Sequence, residues 1–249
     1  MPTKDIAEVV AAMDARLVRM PPDRSGQRVF LETYRRTTIA VGKAVEDAQF
    51  EDPDWVERWD VAFAEFYLDA LDADRAGRPV AGPWRIAFDA ARDRTDLPPL
   101  RHVLLGMNAH INYDLPQALL AVISSAEFDD AAVLARRAAD HRHVDDVLLD
   151  RVAAEDDELT AQGSQGPLDR LLRPFNRAGT KRFLAEARAK VWHNATVLDA
   201  ARRSRDGGDR YEPVLADLER LCAARIAELV APGQVLLKLA RRGFGVRLP

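Results

Sequence analysis

The stretch RHVLLGMNAHINYDLPQALLAVI, residues 101–123, decides the fold class of this chain. Its apolar residues recur at helical spacing, and Asp114 is the only formally charged side chain between Arg101 and Glu127. A helix with so apolar a background is usually surrounded by protein on all sides. The stretch therefore predicts a central buried helix, which we place from Pro99 to Phe128.

Helical spacing of apolar residues continues along nearly the whole chain, whereas the alternating pattern of strands is scarce. We predict an all-α fold, a multi-helix bundle of about eight helices in a single domain over residues 1–249. The remaining helices are expected at about Lys4–Arg19, Ser25–Gln49, Pro53–Arg75, Trp84–Arg94, Asp129–Ala161, Leu168–Leu172, Thr180–Arg203 and Tyr211–Leu229. Loops are expected at Gln162–Pro167 and Arg205–Gly208, where glycine is concentrated.

Charge and composition exclude several classes of protein. The net charge of −4 and the isoelectric point near 5.8 argue against general nucleic-acid binding, which needs a basic surface. The chain has no apolar run long enough to span a bilayer, and its N-terminus lacks the apolar core of a secretory signal. We therefore expect a cytoplasmic protein with no membrane span. The basic residues near the C-terminus are interpreted as a solvated helix end; they are Lys238, Arg241, Arg242 and Arg247.

Five polar side chains interrupt the apolar background of the predicted central helix: His102, Asn108, His110, Asn112 and Asp114. Burying such a group without a hydrogen-bond partner costs about 1–3 kcal/mol, so each of them predicts a partner. At about 100° per residue, His110 and Asp114 are neighbours on one helix face, and His102 lies about two turns earlier. Asn108 and Asn112 form a second such pair on another face, so the polar groups do not all converge on one point.

Gly106 and Pro116 mark special positions in the same helix. Gly106 lies between His102 and His110 on one face, where a missing side chain indicates either a cavity or a closely packed neighbour. Pro116 has no N–H to bond the carbonyl of Asn112, so we expect the helix to be loosened beside Asp114.

The polar residues allow three interpretations. A His-x-x-x-Asp pair can bind a divalent metal such as zinc when one or two further ligands come from another helix. The candidate ligands are His110, Asp114, His102, His141 and His193, with His143, Asp145, Asp146 and Asp150 as further donors. The same pair can instead act as an acid–base couple, with Asp114 orienting His110. In the third interpretation the polar groups only tie helices together.

The leading functional hypothesis is an enzyme of the hydrolase or lyase type, metal-dependent or not, acting on a small, partly apolar molecule. Its candidate catalytic residues are His110 and Asp114, with Asn108 and Asn112 positioning the substrate or neighbouring helices. One alternative is a non-catalytic helical scaffold or ligand-binding protein. Another is a cyclase of an isoprenoid or polyketide, for which an apolar pocket with few polar groups suffices. The expected partner is a small-molecule substrate, and formation of a homo-oligomer stays open.

Two other patterns are interpreted as structural. The Asp-Asp-Val-Leu-Leu-Asp run of residues 145–150 looks similar to the magnesium-binding motif of class I terpene cyclases, but flanking arginines and other acidic pairs indicate a solvated face. Aromatic residues at helical spacing indicate core rather than a cofactor platform; they are Trp55, Trp59, Phe63, Phe66 and Tyr67.

Three segments carry a resemblance: RVFLETY at 28–34, FAEFY at 63–67 and above all LGMNAHINYDL at 105–115. They resemble a bacterial family catalogued as a domain of unknown function, DUF5995. The resemblance covers most of the chain and implies no activity.

A looser resemblance rests on residues 110–117, where His-x-x-x-Asp is followed by Pro116 and Gln117. It is similar to a motif of the zinc-dependent phospholipase C and S1/P1 nuclease superfamily of helical enzymes, which implies zinc at His110 and Asp114. Where that motif has a further histidine this chain has Leu119 and Leu120, so the resemblance implies one reduced site.

Overall fold

The structure is a computed structural model that describes residues 4–162, 177–204, 210–233, 239 and 243–249, with side chains outside 148–184. These ranges contain α-helices and no strand. The helices are α1 (Ile6–Val18), α2 (Ser25–Glu46), α3 (Pro53–Arg75), α4 (Gly82–Asp93), α5 (Pro99–Ala109), α6 (Leu115–Val122), α7 (Ser125–Phe128), α8 (Ala131–Gln162), α9 (Arg177–Arg202) and α10 (Tyr211–Val230). A 3₁₀ turn, Pro22–Arg24, precedes α2, and a π-helix, His110–Asp114, joins α5 to α6. The all-α prediction is confirmed.

Helix starts follow the capping residues in the sequence. Asp52 accepts a hydrogen bond from the backbone N–H of Trp55, and Pro53 occupies the first helical position of α3, where the predicted helix also begins. Asp5 and Glu8 form a capping box at the start of α1. Apart from the central helix, predicted and observed helix bounds agree within a few residues where both exist.

The predicted central helix is shorter than expected at its C-terminal end. Ile123 has an extended backbone, and Ser124 and Glu127 then form a capping box that starts the four-residue helix α7. Arg202 donates hydrogen bonds to the carbonyls of Leu120 and Ile123, which satisfies the exposed end of α6. The prediction of one helix reaching Phe128 is therefore wrong, because a second cap interrupts it.

The rod formed by α5, the π-helix and α6 lies at the centre of the described core. Helices α2, α4 and α10 pack against α5, while α3 and α9 pack against α6. Val103, Leu104, Leu105, Ala109 and Leu119 are almost completely buried within these contacts. The prediction of a central buried helix is confirmed over Pro99–Val122.

The last described segment, residues 243–249, is not helical. It runs as irregular extended chain and buries Phe244, Val246 and Leu248. Arg247 is exposed, but it belongs to this extended segment rather than to a helix end, so that interpretation is wrong for Arg247. The other three basic residues of that cluster lie outside the described residues.

Further predictions also fall outside the described part of the chain. They are the loop at 163–167, the short helix at 168–172 and the break at 205–208. No described helix is both long enough and apolar enough to span a bilayer.

Candidate active site around His110

Residues His110–Asp114 form a single π-helical turn, in which the Leu115 N–H donates to the carbonyl of His110 five residues back. In a regular α-helix, the ring of Pro116 would clash with the carbonyl of Asn112, which would also lack its usual donor. A wider turn is one way in which a helix accommodates such a proline. The loosening expected from Pro116 is thus present, and it places both residues of the His-x-x-x-Asp pair in the wide turn.

His110 and Asp114 form a buried hydrogen-bonded pair. The Nδ1 atom of His110 lies 2.8 Å from Oδ2 of Asp114, and the indole N–H of Trp84 donates to the same oxygen at 2.9 Å. The exposed fractions of the three residues are 3%, 2% and 2% in that order. The predicted adjacency of His110 and Asp114 is confirmed. Sequence reasoning missed Trp84, although a buried tryptophan N–H usually has a hydrogen-bond partner.

Aromatic rings surround the imidazole of His110. Phe63 stacks on it with ring centroids 3.6 Å apart and planes 4° from parallel, and Tyr34 meets it edge-on at 4.6 Å. Three further rings, which complete what we call the aromatic cage, have centroids 5.9–6.4 Å away; they belong to Phe30, Tyr67 and Trp84. The rings of the cage therefore come from three helices, α2, α3 and α4, and lie around the imidazole in the π-helical turn.

The cage continues along α3 as a column of parallel rings. Trp59 stacks on Phe63 at 6.0 Å, and Trp55 stacks on Trp59 at 5.9 Å, with planes within 9° of parallel. The guanidinium of Arg137 lies over the ring of Trp55 at 4.9 Å, a cation–π contact. The interpretation of these α3 aromatics as core residues agrees with their burial, although Phe66 is only partly buried.

Burial controls the protonation of the pair. Desolvation lowers the pKa of His110, and the hydrogen bond and charge of Asp114 oppose that shift only partly. Desolvation also raises the pKa of Asp114, against the hydrogen bonds from His110 and Trp84. The imidazole is therefore neutral at pH 7. With Nδ1–H donated to Asp114, its Nε2 carries a free lone pair.

Several buried polar atoms near the cage have no hydrogen-bond partner among the described residues: Nε2 of His110, the hydroxyl of Tyr67 and Oδ2 of Asp60. Burial raises the pKa of Asp60 to about 7, so this carboxyl is substantially protonated near neutral pH. Sequence reasoning missed Asp60. The available signal was its position, four residues from both Val56 and Ala64 on the buried face of α3.

Gly106 lies beside the cage, and the ring of Phe30 occupies the space that a side chain at this position would need. A Cβ atom at residue 106 would stand 2.5 Å from Cδ2 of Phe30. Both features expected at this glycine are present, since the ring of Phe30 packs closely on it and a small cavity beside that ring is also lined by Gly106. His102, one turn earlier, packs against Gly26 of α2.

The two asparagines serve a different contact. The side-chain amides of Asn108 and Asn112 both donate to the carbonyl of Phe244 at 3.1 Å, and the carbonyl oxygen of Asn112 accepts from the N–H of Val246 at 3.2 Å. They hold the extended C-terminal segment, so the polar residues of the central helix are divided between two faces as predicted. Sequence reasoning missed this segment, for which the alternation of Phe244, Val246 and Leu248 was the available signal.

The remaining candidate metal ligands lie in separate environments. His141 packs edge-on against Trp59, and Nε2 of His193 lies 3.1 Å from the carbonyl of Leu248. Among the residues whose side chains are described, no group of three or more histidine, cysteine, aspartate or glutamate residues could hold a metal ion. The described residues therefore do not assemble the predicted zinc site.

The acidic run at 145–150 is engaged with a basic residue of another helix. Asp145 of α8 pairs with Arg188 of α9, and the side chain of Asp150 lies outside the described set. An aspartate already paired with arginine is poorly suited to bind magnesium, so this contact gives no support to the terpene-cyclase resemblance.

One protein family matches the chain over residues 6–232, and its description is "Family of unknown function (DUF5995)". The chain belongs to the DUF5995 family. The polar pair, the aromatic cage and both central asparagines all lie inside the matched range of this DUF5995 protein. No curated protein matches the chain, and no solved structure does either. The resemblance to the phospholipase C and nuclease superfamily is not supported.

Proposed function

We propose that this chain is an enzyme in which His110 acts as a general base, Asp114 orients its imidazole, and the substrate is a small, partly apolar molecule. One observation carries the proposal: the buried hydrogen-bond chain from Trp84 through Asp114 to His110, which leaves Nε2 bare among aromatic rings. A carboxylate bonded to Nδ1 fixes the tautomer and supports positive charge on the ring, so Nε2 can take a proton.

The surroundings of Nε2 define the class of substrate. A molecule that reaches this atom contacts the aromatic surfaces of Phe63 and Tyr34, which favour an apolar body. The Tyr67 hydroxyl, on a ring 5.9 Å from the imidazole, is a donor for a carbonyl oxygen of the substrate. A neutral imidazole can take a proton from a water that attacks an ester, or from a carbon next to a carbonyl. These are the hydrolase and lyase types of reaction.

Substrate entry requires a local opening, since His110 is almost fully buried. The π-helix interrupts the regular hydrogen bonding of the central rod, so we expect the opening to occur there.

The experiment compares turnover of small aryl and alkyl esters, lactones and β-hydroxy acids by the wild-type chain and by variants. His110→Phe keeps the ring stack but removes the base, and should abolish turnover. Asp114→Asn should lower it by a factor of roughly 10²–10⁴. The matched control is His141→Phe, which changes another buried, ring-packed histidine outside the pair and should leave turnover intact. Activity retained by His110→Phe would contradict the proposal.

Two further measurements distinguish the proposed general-base mechanism from its alternatives. Turnover should decrease in acid, with an apparent pKa below the usual histidine value, because burial lowers the pKa of His110. Turnover should also survive dialysis against a chelator. A loss of activity that added zinc restores would favour the metal-dependent interpretation instead.

A second candidate function is a non-catalytic scaffold, and the close stacking of Phe63 on the imidazole favours it. The triple variant His110→Phe, Asp114→Leu, Trp84→Phe tests it through thermal stability, because it removes the whole hydrogen-bond chain and leaves no indole N–H unpaired. Replacing a buried polar pair by apolar residues is often neutral or stabilising when the pair is kept for function. A loss of a few kcal/mol would instead assign the pair a structural role.

A further inference from the structure

The C-terminal segment 243–249 occupies a groove on the opposite side of the central helix from the cage. Phe244, Val246 and Leu248 are 1%, 6% and 2% exposed, whereas Arg247 and Pro249 face outward. The three apolar side chains thus occupy every second position of the segment, and Gly245 between the first two is buried as well. Among the described residues no strand lies beside it, so its backbone needs other partners.

Side-chain amides supply these partners. Asn112 donates to the carbonyl of Phe244 at 3.1 Å and accepts from the N–H of Val246 at 3.2 Å. Asn194 of α9 repeats the pattern one step along, donating to the carbonyl of Val246 at 3.1 Å and accepting from the N–H of Leu248 at 2.9 Å. A side-chain amide offers the same donor and acceptor as a peptide group. The two asparagines therefore pair with one edge of the segment as a neighbouring strand would.

Other contacts also recognise the backbone. Asn108 and Lys190 donate to the carbonyls of Phe244 and Gly245, and Nε2 of His193 lies 3.1 Å from the carbonyl of Leu248. We call the surface that these residues form the tail groove; its members are Asn108, Asn112, Lys190, His193 and Asn194. Because its hydrogen bonds go to peptide groups, the groove selects an extended conformation, and apolar burial selects every second side chain.

The groove leaves little room for a side chain at residue 245, which is a glycine in this chain. A Cβ atom at this position would stand 2.6 Å from Cδ of Lys190 and 3.3 Å from the backbone Cα of Ala187. A side chain there would have to displace Lys190, which donates to the carbonyl of Gly245, and would crowd the backbone of α9. The groove thus fits the pattern Phe-Gly-Val-x-Leu.

We propose that the tail groove is a peptide-binding site, and that it accepts the Phe-Gly-Val-x-Leu segment of a second copy of this chain in place of its own. The segment of a second copy can make every contact that the chain's own segment makes. Exchange of the segment therefore costs little free energy and joins two copies. The chain's own segment has the advantage of an effective concentration on the order of millimolar. We therefore expect to detect exchange when the binding of the chain's own segment to its groove is weakened.

The first experiment mixes two full-length variants with complementary defects. The first carries Phe244→Ser, Val246→Ser and Leu248→Ser, which spoil its segment and leave its groove intact. The second carries Asn112→Ala and Asn194→Ala, which spoil its groove and leave its segment intact. Each should be monomeric alone, and the mixture should give a particle of twice the mass by light scattering. Folded variants that stay monomeric when mixed would overturn the proposal.

The second experiment adds a labelled peptide of sequence GFGVRLP to the segment-defective variant and follows fluorescence anisotropy. Binding should be at least tenfold tighter than to the wild-type chain, and Asn112→Ala in the same background should weaken it at least tenfold. A peptide carrying Gly245→Val is the control and should not bind. Circular dichroism checks folding; if the triple variant does not fold, a full-length chain with the single substitution Gly245→Val replaces it in both experiments. Absence of peptide binding to a folded segment-defective chain would show that the segment is a fixed part of the fold.

Discussion

Replacing Gly106 with alanine should destabilise the chain, although alanine is the better helix former. The propensity difference within a helix favours alanine by about 1 kcal/mol. Against it stands the new Cβ, which would lie 2.5, 2.7 and 2.8 Å from three ring atoms of Phe30. That ring cannot retreat easily, because it packs edge-on against Tyr67 at 5.0 Å and Trp84 at 5.9 Å. Overpacking of this kind costs about 1–3 kcal/mol, and a clash with three atoms of a confined ring belongs at the upper end.

The net expectation is a loss of about 2 kcal/mol in the free energy of unfolding. For a chain of this size that corresponds to a decrease of about 4–8 °C in Tm, which scanning calorimetry resolves. Gly82→Ala is the matched control, since its Cβ would stand no closer than 3.2 Å to any neighbour, with Oε1 of Glu219 at that distance and Cβ of Ala223 at 3.5 Å. It should change Tm little. The double variant Gly106→Ala, Phe30→Leu should lose less than the two single losses added together, because the smaller side chain makes room. If Gly106→Ala raised Tm, the close packing of Phe30 could not be the reason for this glycine.

Three other predictions follow from buried polar groups. Asp60→Asn should stabilise the chain by up to roughly 4 kcal/mol at pH 8 and little at pH 4. The pKa of Asp60 is about 7 in the folded chain and near its ordinary value in the unfolded chain, so ionisation of this carboxyl above about pH 4 favours the unfolded state. The wild-type contribution therefore falls as pH rises from about 4 to 7, and urea unfolding at both pH values checks this; equal gains at both would contradict burial as the cause. Asn112→Ala should cost about 2–4 kcal/mol in urea unfolding, since two hydrogen bonds disappear and the Val246 N–H stays buried without its partner; a loss below about 0.5 kcal/mol would contradict the contact. Trp84→Phe keeps an aromatic ring but removes the donor to Asp114, so we expect a loss of about 1.5–3 kcal/mol by the same measurement, and an unchanged stability would show that this bond contributes nothing.

The sequence was sufficient to predict the central helix as far as Val122 and the adjacency of His110 and Asp114 within it. An apolar background with a single charge indicates a surrounded helix, and a spacing of four residues places His110 beside Asp114 even when the turn widens. The starts of α1 and α3 were predictable for a related reason, because caps are decided by residues within one turn. The sequence thus predicted the features that residues within about one helical turn determine.

Contacts between distant segments were not predictable in the same way. The bond from Trp84 to Asp114 joins residues 30 positions apart, and the pairing of Asn112 with the C-terminal segment joins residues more than 130 apart. Spacing along a helix shows that a polar group needs a partner, and it does not say which segment supplies it. The π-helix adds a second difficulty, since its wide turn rotates α6 relative to the face assumed from a constant 100° per residue.

The column of parallel rings on α3 gives the molecule an optical reporter of its own. Trp55 and Trp59 are close together and nearly parallel, so their ultraviolet transitions should couple, and Trp84 is itself one of the rings of the cage. Their near-ultraviolet dichroism and emission should respond when the cage loosens, when a ligand displaces a ring, or when His110 gains a proton. We therefore expect that the state of the buried pair can be followed in unlabelled protein.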